Sequence, residues 1–330
     1  MTESNLTPGP LLEISGSYWK SCALHAGAML DVFTPLNDGP NTAEALARIT
    51  KCDHRAMAML LNALAAMGLL VKSGEDFALS ALAKEFLVKD SPRYMGYIIR
   101  HHHRLMASWA RLPQAVRTGQ PMRESSSSDD GREDFLLGMF NLASGIAPRL
   151  AESLDLAGRE RLLDLGGGPG TYAIHFCLAN PGLKATVFDM PGSKNFAQAT
   201  ISRFGVGDRV EFFAGDFLQD PLPGGYDVAW LSHILHAEGP EGCWKILAKA
   251  AQALKPGGLL LIHEFILRDA MDGPEFPALF SLNMLLGTQD GQSYSEAQLR
   301  DMLAGVGARD IRRLDFTGPN DSGIMLGVVG

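Results

Sequence analysis

Apolar residues follow two different rhythms along this chain. Up to about residue 150 they recur at helical spacing, whereas from Arg161 onward short apolar runs alternate with helical stretches. The second rhythm predicts strands over residues 161–165, 185–189, 210–213, 227–231 and 259–265, as expected for a parallel sheet, with a final pair over 311–316 and 324–329. In the first region, Thr42 caps apolar positions at helical spacing that run to Arg48. After a turn at 51–53, residues 55–70 form a second, strongly apolar helix, and 71–79 read as a short hairpin with Gly74 at its turn. Helix, turn, helix, hairpin is a winged-helix arrangement. A further helix over 135–150 leads into the alternating region. The fold class is therefore α/β: a Rossmann-like sheet over 151–330, preceded by a mostly helical, winged-helix-like dimerisation domain over 1–105. Connecting helices and a flexible polar loop at 124–131 fill 106–150. No repeat of solenoid period is visible.

The second winged-helix element offers a phosphate backbone little beyond His54 and Arg55 and is otherwise mostly Ala, Met and Leu. Such a face suits packing against protein, so dimerisation is expected rather than DNA reading. Composition agrees. The formal net charge of −8 argues against a general nucleic-acid surface, which needs clustered Lys and Arg. A chain of 330 residues, 46% apolar and 20% charged, suits about two domains with substantial cores. No run reaches the ~18 apolar residues of a membrane span, and residues 1–10 lack the basic and apolar regions of a signal peptide. Cys22, Cys52, Cys177 and Cys243 form no C-x-x-C pair and read as reduced thiols. A cytoplasmic location without membrane contact is the expectation.

Three acid-bearing loops close successive strands. The first is Asp164-Leu165-Gly166-Gly167-Gly168-Pro169-Gly170, the second Phe188-Asp189-Met190-Pro191, the third Gly215-Asp216-Phe217. A strand-to-helix glycine turn lets backbone approach a ligand that side chains would block. In open α/β sheets ligands sit outside the carboxyl ends of the strands. Asp189 is positioned to accept from ribose hydroxyls and Asp216 to take the amino protons of an adenine. Gly168 to Ala173 also satisfies the dinucleotide fingerprint, with Asp189 as its ribose acid. Two features favour S-adenosylmethionine instead. The glycines follow Asp164 in a D-x-G-x-G-x-G run, where Asp164 can help position the loop and the amino-acid end of the cofactor. The third loop, moreover, has no role in the dinucleotide pattern. A purely structural glycine turn leaves two strand-terminal aspartates unexplained.

The fourth strand runs into Ser232, His233 and His236, and the fifth ends at His263-Glu264-Phe265. An imidazole titrates near neutral pH and can take a proton from a hydroxyl, so His236 is the candidate base. Glu264 can fix its tautomer, as the acid does in a hydrolase triad. Taken singly, His236 is equally a satisfied polar group at a strand end, Glu264 a solvated one, and His263 a packing or exposed residue. His233, one turn before His236, serves a second basic role or packing. His101, His102 and His103 invite a metal, but consecutive residues point to different helix faces and no matching carboxylate or cysteine spacing accompanies them. No metal site is expected, and one of these histidines can instead line an acceptor pocket. Met139, Phe280 and Met284 read as core at helical spacing, although methionines also suit an adaptable lid over a flat substrate.

With these residues in view, the chain resembles the S-adenosylmethionine-dependent O-methyltransferases that include the plant caffeate and acetylserotonin enzymes. The resemblance runs from residues 30–33 to the last strand. It is carried by the 164–170, 188–191 and 215–217 loops, by Ile234-Leu235-His236 and by Lys255-Pro256-Gly257-Gly258. It implies that Gly166, Asp189, Met190, Asp216 and Phe217 hold the cofactor, S-adenosyl-L-methionine, with product S-adenosyl-L-homocysteine, and that Ser232 stands near the adenine. It further implies that His236 is the general base, that Glu264 orients it, and that Met139 and Met284 grip a small-molecule acceptor. The helical domain would make a homodimer, and Tyr18 or Trp19 would reach the partner's pocket. The chain departs from the plant pattern in two places. Ala237-Glu238 replaces the Asp-Trp that follows the base, and a second orienting glutamate falls at about Ser293. The departures leave S-, N- or C-methylation on the same scaffold open. A winged-helix regulator that senses the cofactor and a nicotinamide dehydrogenase are the readings from other classes.

Overall fold

The computed structural model describes residues 6–123 and 129–330. Residues 1–5 and 124–128, and with them most of the expected polar loop, lie outside the described residues; residues 129–131 already belong to the helix Asp129–Ser144. Two compact units emerge. The first comprises 6–104 with 129–141, the second 105–123 with 142–330. The expected connector at 106–150 is thus shared between them rather than standing apart.

In the first unit, helices Ala43–Thr50 and His54–Ala66 begin where the chain supplies caps. Thr42 Oγ1 accepts from the Ala45 amide at 3.2 Å, and Asp53 Oδ1 from the Ala56 amide at 2.8 Å. The second helix ends at Ala66 and not near residue 70, because Gly68 turns the chain at positive φ before a strand begins. The strands are β1 (Asn41–Thr42), β2 (Leu70–Ser73) and β3 (Asp76–Leu79), in the order β1-β3-β2, with Gly74 at φ +60° between the last two. Val32, Phe33, Leu46, Met57, Leu61, Leu64 and Phe77 close its core. The residues expected as one helix over 135–150 form two, Asp129–Ser144 and Ala147–Ser153, divided at Gly145 and Ile146 before Pro148. Proline is tolerated in a first helical turn, where its missing N–H costs nothing.

The second unit is a seven-stranded sheet: β4 (Arg161–Leu165), β5 (Lys184–Asp189), β6 (Val210–Ala214), β7 (Tyr226–Ser232), β8 (Leu254–Phe265), β9 (Ala308–Arg313) and β10 (Ser322–Val329). Its order is β6-β5-β4-β7-β8-β10-β9. The sheet is mixed rather than wholly parallel, because β10 runs antiparallel to both β8 and β9. Side chains alternate across it. Leu162, Val187, Val228 and Trp230 enter one core, and Leu163, Leu165, Phe188, Ala229 and Leu231 the other, so both faces are covered. Strand order reverses between β4 and β7, which opens a crevice at their carboxyl ends. Among the described residues no helix is long and apolar enough to cross a membrane.

Candidate active site

The glycine loop after β4 is held open by its own geometry. Gly166, Gly168 and Gly170 all have positive φ, and a Cβ on Gly166 would lie 2.5 Å from Ile234 Cγ2. The Gly166 amide donates to the Phe188 carbonyl at 2.8 Å, and the Gly168 amide to Asp189 Oδ2 at 2.7 Å, which ties this loop to the end of β5. Asp189 Oδ1 also accepts from the Met190 amide at 2.6 Å and from Ser193 Oγ at 3.0 Å. Ser193 carries no motif and was not legible in advance. Burial raises the Asp189 carboxyl from its ordinary value. Met190, beside it, is exposed.

Asp164 is fully buried at the end of β4. Its Oδ2 accepts from the Ala173 amide at 3.2 Å, while Oδ1 has no hydrogen-bond partner among the described residues. Burial pushes its carboxyl up to about 7. A buried acid with one orphaned oxygen beside a glycine loop fits a ligand that brings a positive charge or a donor. At the end of β6, Asp216 Oδ1 accepts from the Leu218 amide at 2.8 Å, and Phe217 packs half-buried against the core.

On the other side of the crevice, Glu264 is buried at the end of β8 and bonds through both oxygens. Oε2 lies 2.8 Å from His236 Nδ1, and Oε1 accepts from the Leu235 and His236 amides at 3.0 and 3.3 Å. Burial alone would raise the Glu264 carboxyl. The facing His236 and His233 imidazoles outweigh it and hold the acid well below the usual carboxylate range. The half-buried His236 ring meets Phe280 edge-on at 4.8 Å between centroids. Phe280 belongs to the helix Glu275–Gly287, which also carries the buried Met284.

His233 has φ +56° and sits 3.6 Å from Glu264 Oε2, beyond hydrogen-bond range. Its ring packs against His263 and Phe265 at 4.5 and 4.3 Å. His263 is fully buried, with Nδ1 3.0 Å from Ser232 Oγ and Nε2 3.1 Å from Ser322 Oγ, and burial lowers its pKa well below the usual value. Ser232 is therefore engaged by a neutral histidine. Its partner Ser322, on the antiparallel strand β10, left no signal in the sequence.

Donor atoms of His233, His236 and Glu264 lie within 4.8 Å of one another, close enough to share a metal ion. Glu264 is already committed to one ring and two backbone amides, which favours orienting an imidazole. His101, His102 and His103 belong to the first unit, where His101 packs on Phe135 and His103 on the buried His25. Met139 is likewise carried by the first unit, half-buried on Asp129–Ser144. The departure at Ser293 is a small buried residue whose amide donates to Ser281 Oγ, so Glu264 is the acid that meets His236.

The O-methyltransferase domain family matches residues 113–309, and the O-methyltransferase dimerisation domain family matches residues 12–89. The chain belongs to the S-adenosylmethionine-dependent O-methyltransferases. It is 35% identical to 3-hydroxy-5-methyl-1-naphthoate 3-O-methyltransferase of Streptomyces sahachiroi, over 97% of this chain and 95% of that protein. It is 34% identical to the tetracenomycin polyketide synthesis 8-O-methyl transferase TcmO of Streptomyces glaucescens, over 95% of each. The solved structure of human N-acetylserotonin methyltransferase in complex with SAM superposes with a TM-score of 0.89, with 26% identity and full coverage of both chains. This O-methyltransferase uses S-adenosylmethionine as its methyl donor.

Proposed function

We propose that this O-methyltransferase methylates a hydroxyl on a small aromatic acceptor, with His236 as general base and Glu264 as its orienting acid. The observation that carries the reading is the 2.8 Å contact of His236 Nδ1 with Glu264 Oε2, which leaves Nε2 as the nitrogen available to a hydroxyl. Bound S-adenosylmethionine supplies an electrophilic methyl group. The protein's task is to bring the acceptor oxygen to within ~3–3.5 Å of that carbon, in line, and to exclude water. His236 takes the hydroxyl proton as attack proceeds, a contribution typically worth ~10²–10⁴-fold. The aromatic relatives and the ring of Phe280 beside His236 support a flat acceptor. Met284 and His233 belong to its surroundings in this reading.

Cofactor contacts are assigned to the residues that ring the crevice. Asp164 answers the amino-acid end, Gly166, Gly168 and Gly170 open the backbone, and Asp189 faces the ribose. Met190, Asp216 and Phe217 receive the adenine, with Ser232 near it. The orphaned Asp164 oxygen and the positive-φ glycines support this set. The dimerisation domain supports a homodimer, and four free cysteines among the described residues suit a reducing, cytoplasmic setting. Acidic composition supports a protein without nucleic-acid partners.

Methyl transfer from isotopically labelled S-adenosylmethionine into a panel of phenols and naphthols, read by mass spectrometry, tests the proposal. A labelled aryl ether whose formation falls ~10²–10⁴-fold in His236→Ala, with S-adenosylhomocysteine affinity retained, is the expected result. Equal turnover in that variant removes His236 as the base.

A further inference from the structure

Arg123 is a half-buried arginine whose guanidinium faces no carboxylate among the described residues. Its Nη2 donates to Asn283 Oδ1 at 2.9 Å and to the Asn283 carbonyl at 3.4 Å, while Nε is buried without a partner. Burial lowers its pKa, and no acid offsets that effect. Some arginines are matched to acids, as where Arg100 and Arg104 share the buried Asp134, or where Arg300 and Arg313 meet Glu296, and others, such as Arg161 and Arg209, to backbone carbonyls.

The site is built to hold this guanidinium. The Met122 and Arg123 amides both donate to the Leu286 carbonyl, at 2.9 and 2.8 Å, pinning the chain beside the end of the helix Glu275–Gly287. A Cβ on Gly287 would meet Arg123 Nη1 at 2.5 Å and Cζ at 2.6 Å, so the glycine is the notch that admits the head group. Asn283 and Gly287 follow Phe280 by three and seven residues and so share its helix face. At 1.5 Å rise per residue, Arg123 lies about 5–10 Å along that helix from the ring that packs on His236. A naphthalene-sized skeleton spans that interval.

We infer that Arg123 is the anchor for a carboxylate on the acceptor, so that the substrate class is a hydroxylated aromatic acid whose hydroxyl meets His236 while its acid group meets the guanidinium. This deepens the proposed function and rests on it. Guanidinium and carboxylate match through parallel N–H donors, and such charge-assisted pairs are about twice as strong as neutral ones. On a chain of net charge −8, a local cation is what an anionic acceptor requires.

The test is calorimetric titration of the S-adenosylhomocysteine-saturated full chain with 2-naphthoate and with its neutral counterpart 2-naphthamide. Wild type, Arg123→Gln, Arg123→Met and Arg123→Lys are compared, each checked by thermal melt. Naphthoate should bind the wild type about 10–100-fold more tightly than the amide, the range of a charged hydrogen-bonded pair. Arg123→Gln should abolish that preference, with Arg123→Met standing in if the glutamine variant does not fold, and Arg123→Lys should keep part of it. Equal wild-type affinities, or a preference that survives both neutral variants, overturns the inference. A parallel turnover arm separates it from the reading it rests on. Methyl transfer to a naphthol as efficient as to the corresponding hydroxynaphthoate removes the carboxylate anchor and leaves the aryl O-methyltransferase standing. Arginine-dependent naphthoate binding without transfer to either compound keeps the anchor and removes the hydroxyl as the methylated group.

Discussion

Glu264 and His236 are joined at three points: carboxylate to imidazole at 2.8 Å, carboxylate to the His236 amide at 3.3 Å, and carboxylate to the neighbouring Leu235 amide at 3.0 Å. Every one of these contacts requires an acceptor on Glu264. A glutamine has one oxygen and one NH2, so Glu264→Gln forces either the backbone amides or the imidazole to face a donor. The variant should lose about 1–3 kcal/mol of stability, the cost of a buried group left unmatched. Its turnover should fall at least tenfold while S-adenosylhomocysteine affinity stays within a few-fold. Denaturant melts and steady-state kinetics together check this, and unchanged turnover in a folded variant refutes the orienting role.

Glu264 also has a pH consequence. Its folded carboxyl is held below the unfolded value, so its contribution to stability is complete above the ordinary carboxylate range and is lost only as pH falls below it. Denaturant melts over about pH 2–5 should therefore show an acid loss of stability from this group that is absent in Glu264→Gln, and the same loss in that variant would assign it to another carboxylate.

The two histidines that face Glu264 should behave differently. His236 is within hydrogen-bond range of the acid, whereas His233 is at 3.6 Å in a left-handed backbone conformation. Asparagine tolerates that conformation better than most residues, so His233→Asn removes the ring at little backbone cost. We expect a loss of less than about tenfold in kcat for His233→Asn, against the ~10²–10⁴-fold of a removed base for His236→Asn. Equal losses in both would make the pair a shared base.

Much of the layout of this crevice was legible in the sequence, because each part has a local cause. Asp164, Asp189 and Asp216 announce themselves at the ends of apolar runs, and the clustered glycines mark a loop whose backbone turns at positive φ. The helix Ala43–Thr50 begins at its visible cap, Thr42. What stayed hidden depends on distant pairing. Ser322 meets His263 only because β10 inserts antiparallel beside β8, and apolar periodicity carries no strand direction. Ser193 meets Asp189 through a loop geometry that no spacing rule encodes. Arg123 looks like any surface arginine until Gly287, 164 positions away, proves to be its notch.

Gly166 gives a test of the loop itself. An alanine there meets two penalties, the positive φ of +69° and a contact of 2.5 Å with Ile234 Cγ2. Gly166→Ala should therefore destabilise the protein by more than the ~1 kcal/mol of an ordinary glycine effect. Because Ile234 sits two residues before His236, it should depress cofactor affinity and kcat together. Gly158→Ala, strained by φ +73° but with open space at the Cβ, isolates the backbone penalty. A Gly166 variant no less stable than the Gly158 variant would show that Ile234 yields freely.

Asp164 supplies the sharpest pH dependence. Burial raises its carboxyl from 3.8 to about 7, so between those values the folded protein carries a proton that the unfolded chain has released. Stability from this group is therefore full below about pH 4 and is lost as pH rises through about 7, by at most ~4 kcal/mol. Asp164→Asn should flatten that slope in melts of the cofactor-free protein. In the proposed cofactor assignment the amino group of the cofactor reverses the balance, since a neighbouring cation favours the charged acid. Binding of S-adenosylhomocysteine should then expel the proton, and affinity should climb with pH by up to tenfold per unit until about pH 7 before levelling off. Calorimetry in two buffers of different ionisation heat, at about pH 6 and about pH 8, reads the released proton directly. Release near one proton at the lower pH, absent in Asp164→Asn, is the expected result; the same release in the asparagine variant would move the proton to another group.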